Sequence, residues 1–218
     1  MNKVIVENIT KPFRKKLIIS GGNITLETGN IVGIFGRNGT GKSTILSILF
    51  GTTSSEQLFF KLNDTVFLNR NRFKKAFSFS PQFMILPTNV KVKKVVTLFL
   101  EDRIQDFFDE ELLQETKEKK ICELSSGVQK YLQTKLILYN SPPFCLLDEP
   151  YSGLSPILIE KMKELIKTAS LDKGIIITDH KYESVLDVSN QNYILQNGVL
   201  IKLKSKEELV DYGYLSFI

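Results

Sequence analysis

Apolar residues along this chain fall into two kinds of run, and each kind predicts a different element. Ile31-Val32-Gly33-Ile34-Phe35, Phe144-Cys145-Leu146-Leu147 and Gly174-Ile175-Ile176-Ile177-Thr178 are short, continuous and β-branched in character. They lack polar alternation, so they read as strands buried on both faces, as in a parallel sheet covered by helices. Thr28-Gly29-Asn30 reads as the turn that introduces the first. Ser43-Thr44-Ile45-Leu46-Ser47-Ile48-Leu49 reads instead as a helix that stops at Gly51. Strands alternating with helices predict an α/β fold with a mostly parallel sheet. Between Lys61 and Phe79 polar and apolar positions alternate in places, which predicts a small antiparallel β portion.

The pattern changes near Phe83 and changes back near Tyr131. Charge rises there, and Val95-Val96-Thr97-Leu98-Phe99-Leu100 and Phe107-Phe108 look helical and amphipathic. Residues 83–131 are therefore expected to form a helical subdomain inserted into an α/β core made of 1–82 and 132–218. The whole chain, 1–218, is expected to be one domain, since no Pro/Gly/Ser linker, repeat or low-complexity tract divides it. Glu115-Thr116-Lys117-Glu118-Lys119-Lys120 reads as a solvated face or loop. The apolar cluster Phe83-Met84-Ile85-Leu86 suits a docking surface as well as it suits a buried segment.

Composition narrows the class. With 218 residues and 42% hydrophobic positions the chain is long enough to bury a core without staples. Two cysteines, Cys122 and Cys145, exclude a disulfide scaffold and fit a reducing compartment. No stretch approaches the roughly 18 uncharged apolar residues of a membrane span. The start, Met1-Asn2-Lys3-Val4, does not lead into a secretory signal either, so a cytoplasmic protein is expected. The net charge of +5 comes from 24 Lys and 5 Arg against 24 acidic residues. Base-reading contacts favour Arg, so this balance predicts a solvated surface and no specific nucleic-acid partner.

The candidate chemistry begins at Gly36-Arg37-Asn38-Gly39-Thr40-Gly41-Lys42-Ser43-Thr44. It matches G-x-x-x-x-G-K-[ST] between a predicted strand and a predicted helix, the context that gives the motif its meaning. The glycines let backbone N–H groups converge on phosphate oxygens at a helix N-terminus. Lys42 is placed to reach the β- and γ-phosphates and the Ser43 hydroxyl to ligate Mg2+. The expectation is a P-loop NTPase core. Asp148 and Glu149 follow the strand ending at Leu147, at the sheet edge where ligand groups gather. That pair permits a division of labour, with Asp148 holding the metal and Glu149 polarising the attacking water as general base.

With these motifs in this order the chain resembles the ATP-binding subunits of ABC transporters over nearly its whole length. Gln82, in Ser80-Pro81-Gln82-Phe83, stands where that family has its glutamine loop, whose side chain joins the metal site. Leu124-Ser125-Ser126-Gly127-Val128 is similar to the signature Leu-Ser-Gly-Gly-Gln. Tyr151-Ser152-Gly153-Leu154-Ser155 resembles the D-loop. His180, the only histidine, ends Ile177-Thr178-Asp179-His180 as the switch histidine does, a place from which imidazole can sense the γ-phosphate. Phe13 resembles the aromatic that stacks on adenine, and it suits a core position equally. Ser125 also reads as a helix N-cap for the segment from Val128 onward. The stretch around His180, with Gly198 and Tyr214-Leu215, loosely resembles ATPases that serve lipopolysaccharide export or branched-chain amino-acid uptake.

The departures fall at Ser126, Val128 and Ser155, where family members usually have Gly, Gln or Glu, and Asp. None removes Lys42, Asp148, Glu149 or His180, so an active ATPase is expected. The resemblance implies that two copies, or this chain and a paired ATPase subunit, sandwich ATP between the phosphate loop of one and Ser125 and Gly127 of the other. It implies a peripheral place on the inner face of the cell membrane, beside integral transporter subunits. Two other functions fit the motifs: a soluble ABC-type ATPase that remodels macromolecules without a membrane partner, and a nucleotide-binding module that does not hydrolyse.

Overall fold

The computed structural model describes residues 1–13, 16–67, 74–100 and 104–215. The three continuous apolar runs form β4 (Ile31–Phe35), β8 (Phe144–Asp148) and β9 (Gly174–Thr178), each buried along its full length. They lie side by side in a five-stranded parallel arrangement, bounded by β10 (Gln191–Gln196) and β7 (Phe77–Ser80), in the order β10-β4-β9-β8-β7. Alternate residues of these strands enter two different cores, which is why no polar position interrupts the runs. Val32, Ile34, Phe144, Leu146 and Ile176 pack towards helix α1 (Lys42–Phe50), through its Ile45, Leu46, Ile48 and Leu49. Ile31, Phe35, Cys145, Leu147, Ile175 and Ile177 share the opposite core with the remaining large helices.

Those helices are α2 (Val92–Leu100), α3 (Ile104–Phe107), α4 (Glu111–Thr116), α5 (Ser126–Tyr139) and α6 (Pro156–Ser170). Two short ones follow, α7 (Tyr182–Leu186) and α8 (Glu208–Asp211). The described residues from α2 to the start of α5 are mainly short helices joined by turns. Helix α5 runs unbroken across positions 131 and 132, with every residue from Lys130 to Leu138 buried. Helix α1 ends at Gly51, whose φ of 84° is the left-handed cap that glycine reaches without steric cost.

An antiparallel portion flanks the parallel strands. Strand β1 (Lys3–Phe13) pairs with β2 (Lys16–Gly22), β3 (Ile24–Glu27) and β5 (Gln57–Leu62), and β5 pairs with β6 (Thr65–Val66). Strand β11 (Val199–Lys202) links the two parts, antiparallel to β10 and parallel to β2. Part of the alternating stretch at 61–79 is thus antiparallel, but its last strand is not: Phe77–Ser80 runs parallel to β8. Its polar positions misled because they are buried. Ser78 Oγ donates inside the protein to the Ile137 carbonyl at 3.1 Å, so the serine hides its polarity and imitates a wet face. Residues 68–73 of that stretch lie outside the described residues.

The charged run 115–120 closes α4 and forms a loop, from which Lys117 and Lys119 accept backbone hydrogen bonds from Lys93 and Val92. The cluster 83–86 divides: Phe83 is 71% exposed and Leu86 4%.

Candidate functional site

Strands β4, β8 and β9 are parallel neighbours, so the residues that follow them gather at one edge of the sheet. Gly36 follows β4, and the loop from there to Gly41 leads into α1. Gly36 and Gly41 have φ of 152° and 109°. A Cβ on Gly36 would stand 2.8 Å from the Leu195 carbonyl oxygen and 2.9 Å from Thr40 Oγ1, so side chains larger than hydrogen are excluded by space as well as by backbone angle. No side chain caps the first turn of α1 and no acidic residue lies in it. Its N–H groups and the positive end of its dipole are therefore free to face an anion. Lys42 Nζ arches back to donate to the carbonyls of Gly36 at 2.6 Å and Arg37 at 3.2 Å. Burial lowers the pKa of this ammonium, against the opposing pull of Glu149, Asp148 and Asp179.

The carboxylates meet that loop from β8. Asp148 Oδ1 accepts from Ser43 Oγ at 3.1 Å and from Thr178 Oγ1 of β9 at 2.7 Å. Glu149 leaves the strand with φ of 50°, a left-handed conformation unusual outside glycine, and its N–H donates to the Thr178 carbonyl at 2.7 Å. The turn aims its carboxylate at two partners. Gln82 Nε2 donates to Oε2 at 2.9 Å, and His180 Nε2 stands 2.8 Å from Oε1. The His180 side chain is 46% exposed and that of Glu149 only 11%. A cleft of about 310 Å³ opens above these groups. The loop side supplies Asn38, Gly39, Gly41, Lys42, Ser43 and Thr44; Gln82, Glu149 and His180 close it from the other side. This arrangement can hold a phosphate chain against backbone N–H groups and a lysine, with a carboxylate and an imidazole beside its far end.

The ABC transporter family matches residues 19–152, more than half of the chain. The chain belongs to the ABC transporter family. Over 219 residues it is 26% identical to a lipopolysaccharide export system ATP-binding protein, LptB, of Acidithiobacillus ferridurans, covering 94% of this chain and 91% of that one. Its fold resembles that of an ATP-binding subunit of an ABC transporter, with a TM-score of 0.80, 18% identity and coverage of 96% and 93%. It also resembles an ATP-binding cassette dimer in a post-hydrolysis state with ADP and Pi, with a TM-score of 0.78, 21% identity and coverage of 93% and 99%. The chain is an ABC ATPase, built on a P-loop NTPase fold.

Not every residue singled out by the sequence meets in the cassette's cleft. Ser125 and Gly127 do not line it. Ser125 is the N-cap of α5, accepting from the Val128 N–H at 3.3 Å, and is exposed. Gly127 packs on the D-loop of its own chain, where a Cβ would come within 3.1 Å of the Gly153 carbonyl oxygen. Ser155 caps α6 by accepting from the Leu158 N–H at 3.4 Å, so the departure from Asp keeps the local capping function. Phe13 ends β1, and its side chain lies outside the described residues.

Three residues that sequence reasoning did not single out build the site from behind. Thr178 serves Asp148 with its hydroxyl and Glu149 with its carbonyl. Asp179, 1% exposed, accepts from the N–H groups of Tyr151 at 2.8 Å and Lys181 at 2.9 Å, tying the D-loop to the His180 turn. Lys130 is buried in α5 beneath Gln82 and Asp148. No local signal marks it, because α5 also carries Gln129, Gln133, Thr134 and Lys135, so its sequence does not separate a buried lysine from a solvated one.

Proposed function

We propose that this chain, one cassette over 1–218, binds ATP with Mg2+ in the cleft and closes on a second copy, and that the cycle drives an integral membrane transporter. The observation that carries the reading is the convergence of Gln82 and His180 on Glu149 beside the phosphate loop. The oxygen donors Ser43, Gln82 and Asp148 suit a hard cation. These residues would hold Mg2+, which would supply positive charge to offset that of the phosphates. Lys42 exchanges its contacts with the loop carbonyls for phosphate oxygens, and the N–H groups of Gly39 to Thr44 enclose the β-phosphate. Phe13 stacks on the adenine. Glu149 accepts a proton from the attacking water, while His180 hydrogen-bonds the γ-phosphate and keeps Glu149 oriented. Ser125 and Gly127, exposed or at the head of α5, complete the site of the second copy, where a helix N-terminus meets that copy's γ-phosphate.

Hydrolysis removes the contacts that hold the copies together, so the dimer opens once per cycle. The helical segment 83–131 and exposed Phe83 face the transporter from the inner side of the membrane. No helix among the described residues is long and apolar enough to cross a membrane, which accords with a peripheral place. The likeness to LptB supports an exporter of amphipathic lipid-linked cargo. The test is size-exclusion chromatography of Glu149→Gln with ATP and Mg2+, together with recovery of the native chain from membranes in mild detergent. A variant that accumulates as a dimer, and co-recovery of a multi-span membrane protein, are expected. A variant that stays monomeric at saturating ATP removes the closure step, and recovery from the soluble fraction alone removes the transporter.

A further inference from the structure

Among the described residues no carboxylate forms an ion pair with Lys130; its ammonium instead donates three hydrogen bonds to main-chain carbonyls, Pro81 at 2.9 Å, Asp148 at 3.2 Å and Gln82 at 3.3 Å. An ammonium has three donors and no acceptor, so this one is saturated. No neutral side chain supplies three donors from one atom. The acceptors are not scattered: two belong to the loop that carries Gln82, and the third is the carbonyl of the Asp148–Glu149 peptide.

That peptide is held at both ends. Its carbonyl accepts from Lys130, and its N–H donates to the Thr178 carbonyl at 2.7 Å. Its orientation determines where the Glu149 side chain leaves a backbone with φ of 50°. Lys130 thus grips both main-chain anchors of the hydrogen bond from Gln82 to Glu149. It does so from helix α5, four residues into which it stands and whose N-cap is Ser125. Displacing the head of α5 moves the ammonium, and with it Gln82 and Glu149 together.

We infer that Lys130 is a positioning residue for hydrolysis, which sets the Gln82 loop and the Asp148–Glu149 peptide in register and ties both to the helix that begins at Ser125. It does not line the cleft and acts through Glu149. The inference rests on the reading of Glu149 as general base, and the experiment separates the two. Steady-state turnover and ATP KM are measured for Lys130→Met, Glu149→Gln and the double variant, with ATP affinity by calorimetry. Lys130→Met is expected to lower kcat by about 10- to 100-fold with KM within about 3-fold, the scale of a misplaced catalytic group. In the Glu149→Gln background the same change is expected to cost no more than about 2-fold, because residues that act as a unit are not additive.

A loss carried by KM, or the full loss repeated in the Glu149→Gln background, would overturn the positioning role. Normal turnover of Glu149→Gln alone would instead overturn the general base. Should Lys130→Met fail to fold, Lys130→Arg and Lys130→Gln are compared: the charged variant is expected to turn over at least about 5-fold faster, because it retains several donors to the three carbonyls, and equal rates would refute the proposal.

Discussion

Two glutamates of this protein sit in similar company and are held in different ways. Glu149 takes hydrogen bonds from an amide and stands against an imidazole at the rim of the cleft. Glu110, in the helical region, accepts from Tyr131 Oη at 2.9 and 2.8 Å and is paired with Lys135, whose side chain is 1% exposed. The difference lies in the partners. Lys135 brings a full charge that stays, with Asp109 at 3.3 Å as a second acceptor, and the phenol adds a donor whose pKa is raised by burial and by Glu110 itself. Glu149 instead meets a neutral amide and an imidazole, beside an open cleft. Among the described residues no lysine holds Glu149 in a direct ion pair, which suits the proton transfer proposed for it, whereas Glu110, paired with a buried lysine, serves as a rivet.

The sharpest way to break this contrast is to neutralise both. Glu149→Gln is expected to slow ATP turnover by about 10²–10⁴-fold while ATP binding persists, the usual scale for a lost general base. Glu110→Gln is expected to leave turnover within about 3-fold. Near-normal hydrolysis by Glu149→Gln, or a comparable collapse in Glu110→Gln, would erase the distinction.

Lys42→Ala comes next. It removes the cation that lines the cleft and is expected to weaken ATP binding by about 10- to 100-fold in calorimetry, the worth of a charge-assisted hydrogen bond. Unchanged affinity would move the phosphate site away from the loop. Its counterpart among the rivets is the stability of Glu110→Gln. The loss of a hydrogen-bonded charge pair costs about 2 kcal/mol, which for a chain of this size lowers Tm by about 4–8 °C. A Tm that does not move would show that Lys135 holds α5 through Asp109 and the rings of Phe107 and Tyr139 alone.

The contrast also explains what could be read in advance. Glu149 was legible because its neighbours in sequence are its neighbours in chemistry: a buried strand, Asp148, then the turn. Lys42 and Ser43 were legible for the same reason, as a fixed spacing enforced by backbone geometry. Gln82 and His180 needed the family resemblance, since nothing local to either shows that both reach one carboxylate. Glu110 was hidden in an acidic stretch, and its partners Tyr131 and Lys135 lie 21 and 25 residues away. The parallel strands announced themselves by having two buried faces, whereas β1 pairs with β2 across a bulge between Lys11 and Pro12, and β3, though it alternates, is only four residues long.

The two cysteines give the smallest and cleanest test, one in each region. Cys122 is exposed in the turn before α5, and Cys145 is buried in β8, three residues before Asp148. Burial raises the Cys145 thiol pKa, outweighing the hydrogen bond to Ser78, so at mildly alkaline pH less of it is thiolate than of an ordinary cysteine, and raising the pH helps it later. A thiol reagent is therefore expected to label one cysteine per native chain at once and the second only when the chain opens. Glu149→Gln should leave the slow phase unchanged. Glu110→Gln, having lost about 2 kcal/mol of stability, should speed it by about 30-fold if labelling proceeds through global opening. A slow phase that responds to Glu149→Gln instead would mean that the strand beneath the cleft, rather than the helical region, sets the pace of opening, and Glu110 would lose its part as the rivet.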